Sequence, residues 1–142
     1  MSAFSKYFIL TVLIGTFVYS CKPDEPIEPT PEDSRDKITG TWKCEETSQV
    51  FGSTTFTVNI SKSSDSSKVL IDNFYNLSAG KKVYAILNNL TLSIPSQTVA
   101  NDGHIITGNG TLTSNYKTIN FSYSANDGSG DLDNVTAIYT KQ

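Results

Sequence analysis

The chain has little of what catalytic and metal-binding sites are usually made of: one histidine, two cysteines, one tryptophan and one methionine in 142 residues. With His104 alone and no Cys/His cluster, nitrogen and sulfur ligands for a metal are missing, so neither a metal nor a cofactor is expected. No nucleophile stands at a recognisable spacing from a base, which makes an enzyme the least supported class; the chain reads as non-enzymatic. Asp72, followed by Asn73, is the one strand-borne acid that a carboxylate-only hydrolase could use. Basic residues are also few, 11 Lys and Arg against 14 Asp and Glu for a net charge of −3, which argues against a nucleic-acid partner. Long apolar runs are missing as well. The longest, Tyr7 to Val18, holds roughly 12 residues where a membrane-spanning helix needs about 20.

What is present begins with that run. Lys6 precedes it and Cys21 follows it, and the composition then changes abruptly to proline and acid. A positive residue, a short apolar stretch and a small residue at a cleavage point are the parts of an export signal. Val18-Tyr19-Ser20-Cys21 resembles the lipobox of bacterial lipoproteins, with an aliphatic residue three before the cysteine and a small one directly before it; Tyr19 departs from the small residue usual at the middle position. The resemblance implies a signal peptide over residues 1–20, acylation of Cys21 and attachment to membrane lipid. Two or three chains hold a protein durably, whereas one holds it reversibly. The alternative is an ordinary secretory signal with an incidental cysteine.

Residues 21–37 read as a spacer. Pro23, Pro26, Pro29 and Pro31 are four of the five prolines in the chain, and such density favours polyproline II with a reach of about 45 Å. Six acids stand against Lys22 and Arg35 from Lys22 to Asp36, while acids and lysines are equal from Lys37 onward, so all the charge asymmetry lies in the spacer. Lys22-Pro23-Asp24-Glu25 resembles the signal that carries Bacteroidota-type lipoproteins to the outer face of the outer membrane. A generic solvated linker is the alternative. The expected location is the outer membrane, lipid-anchored, on its periplasmic or surface face.

Residues 38–142 suffice for one small domain. Short alternating runs separated by Gly, Asn, Asp and Ser clusters predict about eight strands: 41–46, 54–61, 68–74, 82–87, 90–94, 104–112, 117–124 and 135–140. Trp42 and Cys44, Phe56, Val58 and Ile60, Val69 and Ile71, Leu90, Leu92 and Ile94, Ile119, Phe121 and Tyr123, and Val135, Ala137 and Tyr139 form the inner set. The run 82–87 is ambiguous. Asn88-Asn89 suits a two-residue hairpin turn, and Asp102-Gly103 and Asp127-Gly128-Ser129-Gly130 punctuate later ones. Pro95 should end its strand or sit at an edge, and Gly108 and Gly110 suit a bulge. Short connections favour a meander, and closure of its two edges gives an antiparallel up-and-down eight-stranded β-barrel. A β-sandwich is the rival.

Gly40-Thr41-Trp42 resembles the G-x-W opening of the lipocalin and avidin-like barrels, the calycin group. That resemblance implies a tryptophan plugging a closed barrel end, with a cation from the last strand over its indole; Lys141 is the candidate. A lipocalin-like barrel would project Trp42, Phe56, Phe121, Tyr123 and Tyr139 inward. An eight-stranded barrel is just wide enough to be filled by its own side chains or to hold one small ligand. These five are therefore the candidate ligand-binding residues for a small apolar or amphipathic molecule, with tyrosine hydroxyls as polar handles. The alternative is a solid-core interaction or inhibitor module that engages an envelope protein through outer strands and loops such as Lys62 to Ser67. His104, beside Gly103, reads as a turn residue and Cys44 as a buried small hydrophobe. Asp127, Asp131 and Asp133 match a calcium loop poorly and read as a hairpin turn.

Overall fold

Alternation of apolar and polar side chains sets the architecture. In the computed structural model, which describes residues 31–142, the chain closes eight antiparallel strands into an up-and-down barrel. They are β1 (Gly40–Ser48), β2 (Gly52–Lys62), β3 (Lys68–Asp72), β4 (Lys82–Asn88), β5 (Thr91–Thr98), β6 (Ile105–Leu112), β7 (Thr118–Asn126) and β8 (Asp133–Lys141). Each pairs with its sequence neighbour, and β1 pairs with β8 from Trp42↔Lys141 to Ser48↔Val135. The signal segment, Cys21 and the spacer up to residue 30 lie outside the described residues.

Burial follows the expected parity. Trp42, Cys44, Val58, Ile60, Val69, Ile71, Leu92, Ile94, Ile119, Phe121, Tyr123, Val135, Ala137 and Tyr139 are all buried, and the ambiguous fourth run turns Val83 and Ala85 inward. Glu46 and Asp133 share that inner parity and are buried too.

Four local expectations change. The two-residue turn is Asn89-Leu90 rather than Asn88-Asn89, because Asn88 pairs with Thr91 and Asn89 takes the positive φ of 52°. Pro95 lies inside β5 beside a register shift between Ile94 and Gln97, where a ladder donor is not required. Gly108 pairs with Ile94 at the edge of that bulge, whereas Gly110 pairs with Leu92 in regular ladder, and on the other side the two pair in register with Tyr123 and Phe121. Their missing side chains make room, since a Cβ on Gly108 would lie 2.3 Å from Tyr123 Cβ and one on Gly110 2.4 Å from Phe121 Cε1. The third strand stops at Asp72, so Phe74 belongs to the following connection.

One end of the barrel is closed. The Trp42 indole is fully buried, its Nε1 donates to Ile38 O at 2.9 Å, and Lys141 Nζ lies 5.8 Å from the ring centroid while donating to Lys37 O at 2.6 Å. Residues 34–37, assigned from composition to the spacer, form a 3-10 turn against this end, capped by Asp33. Arg35 fixes it by donating through Nη1 to Ser63 O, Asp65 O and Lys68 O at 3.1, 2.8 and 3.2 Å, so the 63–67 loop is clamped. The compact unit accordingly begins at Pro31.

Candidate functional site

The other end of the barrel is where polar chemistry collects. Four connections meet there by topology: Gln49–Phe51, Asn73–Lys81, Val99–His104 and Asp127–Leu132. Two strands part below them. β2 pairs with β3 only from Asn59↔Asp72 to Lys62↔Val69, so the half of β2 from Gly52 to Val58 has no ladder on that side. The 73–81 connection takes the place of the missing strand, held to β2 by Asn73 Nδ2 donating to Thr57 O at 2.8 Å.

That connection sends Phe74 into the barrel. Its ring is fully buried, 4.6 Å from Tyr123, 5.9 Å from Phe121 at right angles, and 6.5 Å from Tyr139 between centroids. Phe121 and Tyr139 are themselves 4.8 Å apart. The interior that the sequence offers as a pocket is thus occupied by the protein's own ring. Burying such a side chain contributes about 2–3 kcal/mol. The backbone opposes it: Asn73, Tyr75, Asn76 and Ser78 have φ of 62°, 55°, 55° and 87°. Asparagine tolerates the left-handed region, but Tyr75 and Ser78 each cost about 1–2 kcal/mol.

Tyr75 points its hydroxyl to Asp133 Oδ2, donating at 2.6 Å. The same oxygen accepts from Ser48 Oγ at 2.6 Å, and Oδ1 accepts from the amides of Gln49 and Val50 at 3.0 and 3.2 Å. Burial works to raise the Asp133 carboxyl, but the bonds from Ser48, Tyr75, Val50 and Gln49 outweigh it and hold the group below the usual carboxylate range. Glu46, deeper, accepts from the Tyr123 hydroxyl. Burial pushes the Glu46 carboxyl up; the Tyr123 bond counters this, and the Asp133 charge adds to it. Tyr123 and Tyr75 are raised for the same primary reason, burial.

Two clefts open beside this cluster. One, about 460 Å³, runs between β2 and the 73–81 connection and is lined by Glu46, Phe51, Thr54, Tyr75, Leu77 and His104 among others. A smaller one of about 190 Å³ is lined by Val50, Phe51, Tyr75, His104, Asp131 and Asp133 among others. Phe51 is 75% exposed and its ring lies 6.4 Å from Tyr75; His104 packs edge-on to Tyr75 at 5.7 Å and its Nδ1 contacts Asp102. Among the described residues no group of three or more His, Cys, Asp or Glu could hold a metal ion. Cys44 is a free, buried thiol raised by burial and by the Glu46 charge.

Of the five residues expected to bind a ligand, the structure brings Phe121, Tyr123 and Tyr139 together around Phe74, sets Trp42 at the closed end and leaves Phe56 half-buried. The sequence reading singled out none of Glu46, Phe51, Phe74 and Tyr75 as site residues, and Asp133, expected in a hairpin turn, instead opens β8 and is buried. For the two acids the signal was there: Glu46 continues the parity of Trp42 and Cys44, and Asp133 that of Val135, Ala137 and Tyr139. Asp72, the acid considered for hydrolysis, instead closes a turn by accepting the amides of Asn73 and Gly80 at 2.9 and 2.7 Å.

No family model matches the chain, and no curated protein matches it. Solved structures do share its shape. A redesigned β-barrel, b11L5F_LGL, superposes with a TM-score of 0.53 at 16% identity over 78% of this chain and 96% of its own. EF1p2_mFAP2b bound to DFHBI gives 0.52 at 16% over 78% and 100%, and mFAP1, a redesigned β-barrel bound to DFHBI, gives 0.53 at 15% over 78% and 100%. The likeness is one of fold: an eight-stranded antiparallel barrel.

Proposed function

We propose that this chain is a lipoprotein of the bacterial cell envelope, anchored in the outer membrane through acylated Cys21, whose barrel binds a small apolar or amphipathic ligand and catalyses nothing. The observation that carries the binding reading is the opening between β2 and the 73–81 connection, with aromatic walls at Phe51 and Tyr75 and the Glu46 carboxylate at its inner end. Ligand sites pair apolar walls with a few placed polar groups, and this opening has both. The two barrels of like fold whose structures hold DFHBI support the same reading. The Trp42 and Lys141 pair at the closed end supports the lipocalin-like resemblance.

Mass spectrometry of full-length protein purified gently from native membranes tests both halves. Diacylglycerol at Cys21 and a co-purifying small molecule are expected, and a Cys21→Ala chain that still fractionates with membranes overturns the anchor. A second reading has one observation behind it: Val50, Phe51 and Leu132 at the same end are 59%, 75% and 54% exposed. Such apolar loops suit a protein partner. A partner lost on Phe51→Ser, with no small molecule found, favours that reading.

A further inference from the structure

A fully buried ring of the barrel core comes from an irregular segment, and that mismatch points to a second, internal site. Phe74 is fully buried, yet it does not belong to a strand. The segment that carries it is stitched mostly to itself: Ser78 N donates to Asn73 Oδ1 at 2.8 Å, Leu77 N to Phe74 O at 3.2 Å, and Asn73 N to Lys81 O at 3.1 Å. Hydrogen bonds that tie the 73–81 stretch to the rest of the barrel are those from Asn73 N and Gly80 N to Asp72 Oδ1 at its hinge, from Asn73 Nδ2 to Thr57 O, from Tyr75 to Asp133 and from Lys81 Nζ to Asn101 O. None of these is a strand-ladder bond, because β2 and β3 have already separated at this level. The segment can therefore swing as a unit, with its own turns intact, without unzipping the sheet.

What it would uncover is a ring-sized space walled by Phe121, Tyr123 and Tyr139. One of these carries an under-used polar group: the Tyr139 hydroxyl is buried and meets no oxygen or nitrogen partner, its one polar neighbour being the Cys44 thiol across the β1–β8 ladder, a weak donor and acceptor. A buried hydroxyl with only a thiol beside it is rare in a filled core and is the kind of group a ligand completes.

We infer that Phe74 is a self-ligand: it occupies an internal binding site for a small planar aromatic molecule bearing a hydrogen-bonding oxygen, and the 73–81 segment is the flap through which that molecule exchanges with the ring. This rests on the ligand-binding reading above and gives it a second, deeper site. Apparent affinity in the native protein is then the intrinsic affinity reduced by the fraction of molecules with the flap open.

The probe is p-cresol, which has the shape of the phenylalanine side chain plus a hydroxyl, with toluene as the comparison. In the native chain, p-cresol should speed amide exchange across 73–81, because its binding holds Phe74 out of the barrel, while leaving the β1, β7 and β8 amides unchanged. Phe74→Ala should bind p-cresol at least about tenfold more tightly than the native chain, since the competing ring is gone. Adding Tyr139→Phe should weaken p-cresol severalfold and leave toluene unchanged. Native binding of p-cresol that neither speeds exchange across 73–81 nor tightens in Phe74→Ala overturns the internal site and leaves the outer cleft as the place of binding. Failure of both proteins to bind p-cresol also overturns it, as does an equal response of the two probes to Tyr139→Phe. Should Phe74→Ala not fold, exchange in the native chain decides: 73–81 amides that exchange only with global unfolding sink the flap.

Discussion

Gly110 faces Phe121 across the β6–β7 ladder, and the aromatic ring lies where a Cβ on Gly110 would be, 2.4 Å from its Cε1. Two residues nearer the open end on the same strand, the arrangement recurs as Gly108 against Tyr123, but there the obstructing atoms are Tyr123 Cβ at 2.3 Å and the backbone oxygen of Ser122 at 2.5 Å. A ring can turn aside and a backbone cannot. Gly110→Ala is expected to lose about 1–3 kcal/mol and Gly108→Ala clearly more, measured by urea unfolding. Equal losses would mean the glycines are not there for the rings.

The Asp133 carboxylate should be a principal polar tie at the open end, because it accepts from two hydroxyls and two amides. Asp133→Asn is expected to cost roughly 2–3 kcal/mol at pH 7. Its folded pKa lies below the unfolded value, so the stability it confers is fully present above the unfolded value near pH 4 and is lost as pH falls through the folded one. The difference between native and Asp133→Asn proteins should therefore shrink as pH falls below about 4.

Glu46 titrates in the opposite sense. Its folded pKa is raised, so its contribution is most favourable below the unfolded value near 4.3 and is lost as pH rises through the folded value. Glu46→Gln keeps an acceptor for Tyr123 and removes the buried charge. It should stabilise the domain at pH 7 by about 1 kcal/mol, with no gain at pH 4. A loss at pH 7 would show that the charge is better compensated than its burial implies.

At the closed end, Trp42→Phe leaves Ile38 O without its donor and a gap beneath Lys141. A loss of about 2–3 kcal/mol is expected. Lys141→Met, which keeps the length but not the charge, should cost about 1 kcal/mol, and thermal unfolding would separate the two.

Strand parity was readable because a residue on one face of a closed sheet has no choice of side: Phe121 and Tyr123 in β7, or Val135, Ala137 and Tyr139 in β8, alternate without exception. The acids that define the site followed the same rule, yet their charge disguised it, since Glu46 and Asp133 are tolerated inside only through hydroxyls and amides from distant parts of the chain. Phe74 could not be placed from its neighbours. Asn73-Phe74 after Asp72 reads as the end of a strand, and nothing local says that the chain leaves the ladder there and turns a ring into the interior. The glycines of β6 were half legible for a related reason: Gly108 does border a bulge, but the space that both leave open is filled by residues of the adjacent strand.

Pairing of β1 with β8 sets the order of events when the polypeptide is made. The first strand must wait for the last to emerge before its outer edge is matched, so a nascent chain that stops short of Val135 is left with two sticky borders and no route to completion. Under the export proposed above, a translocation apparatus that accepts only unfolded substrates would meet no early lock, because the barrel cannot close until its tail has been delivered.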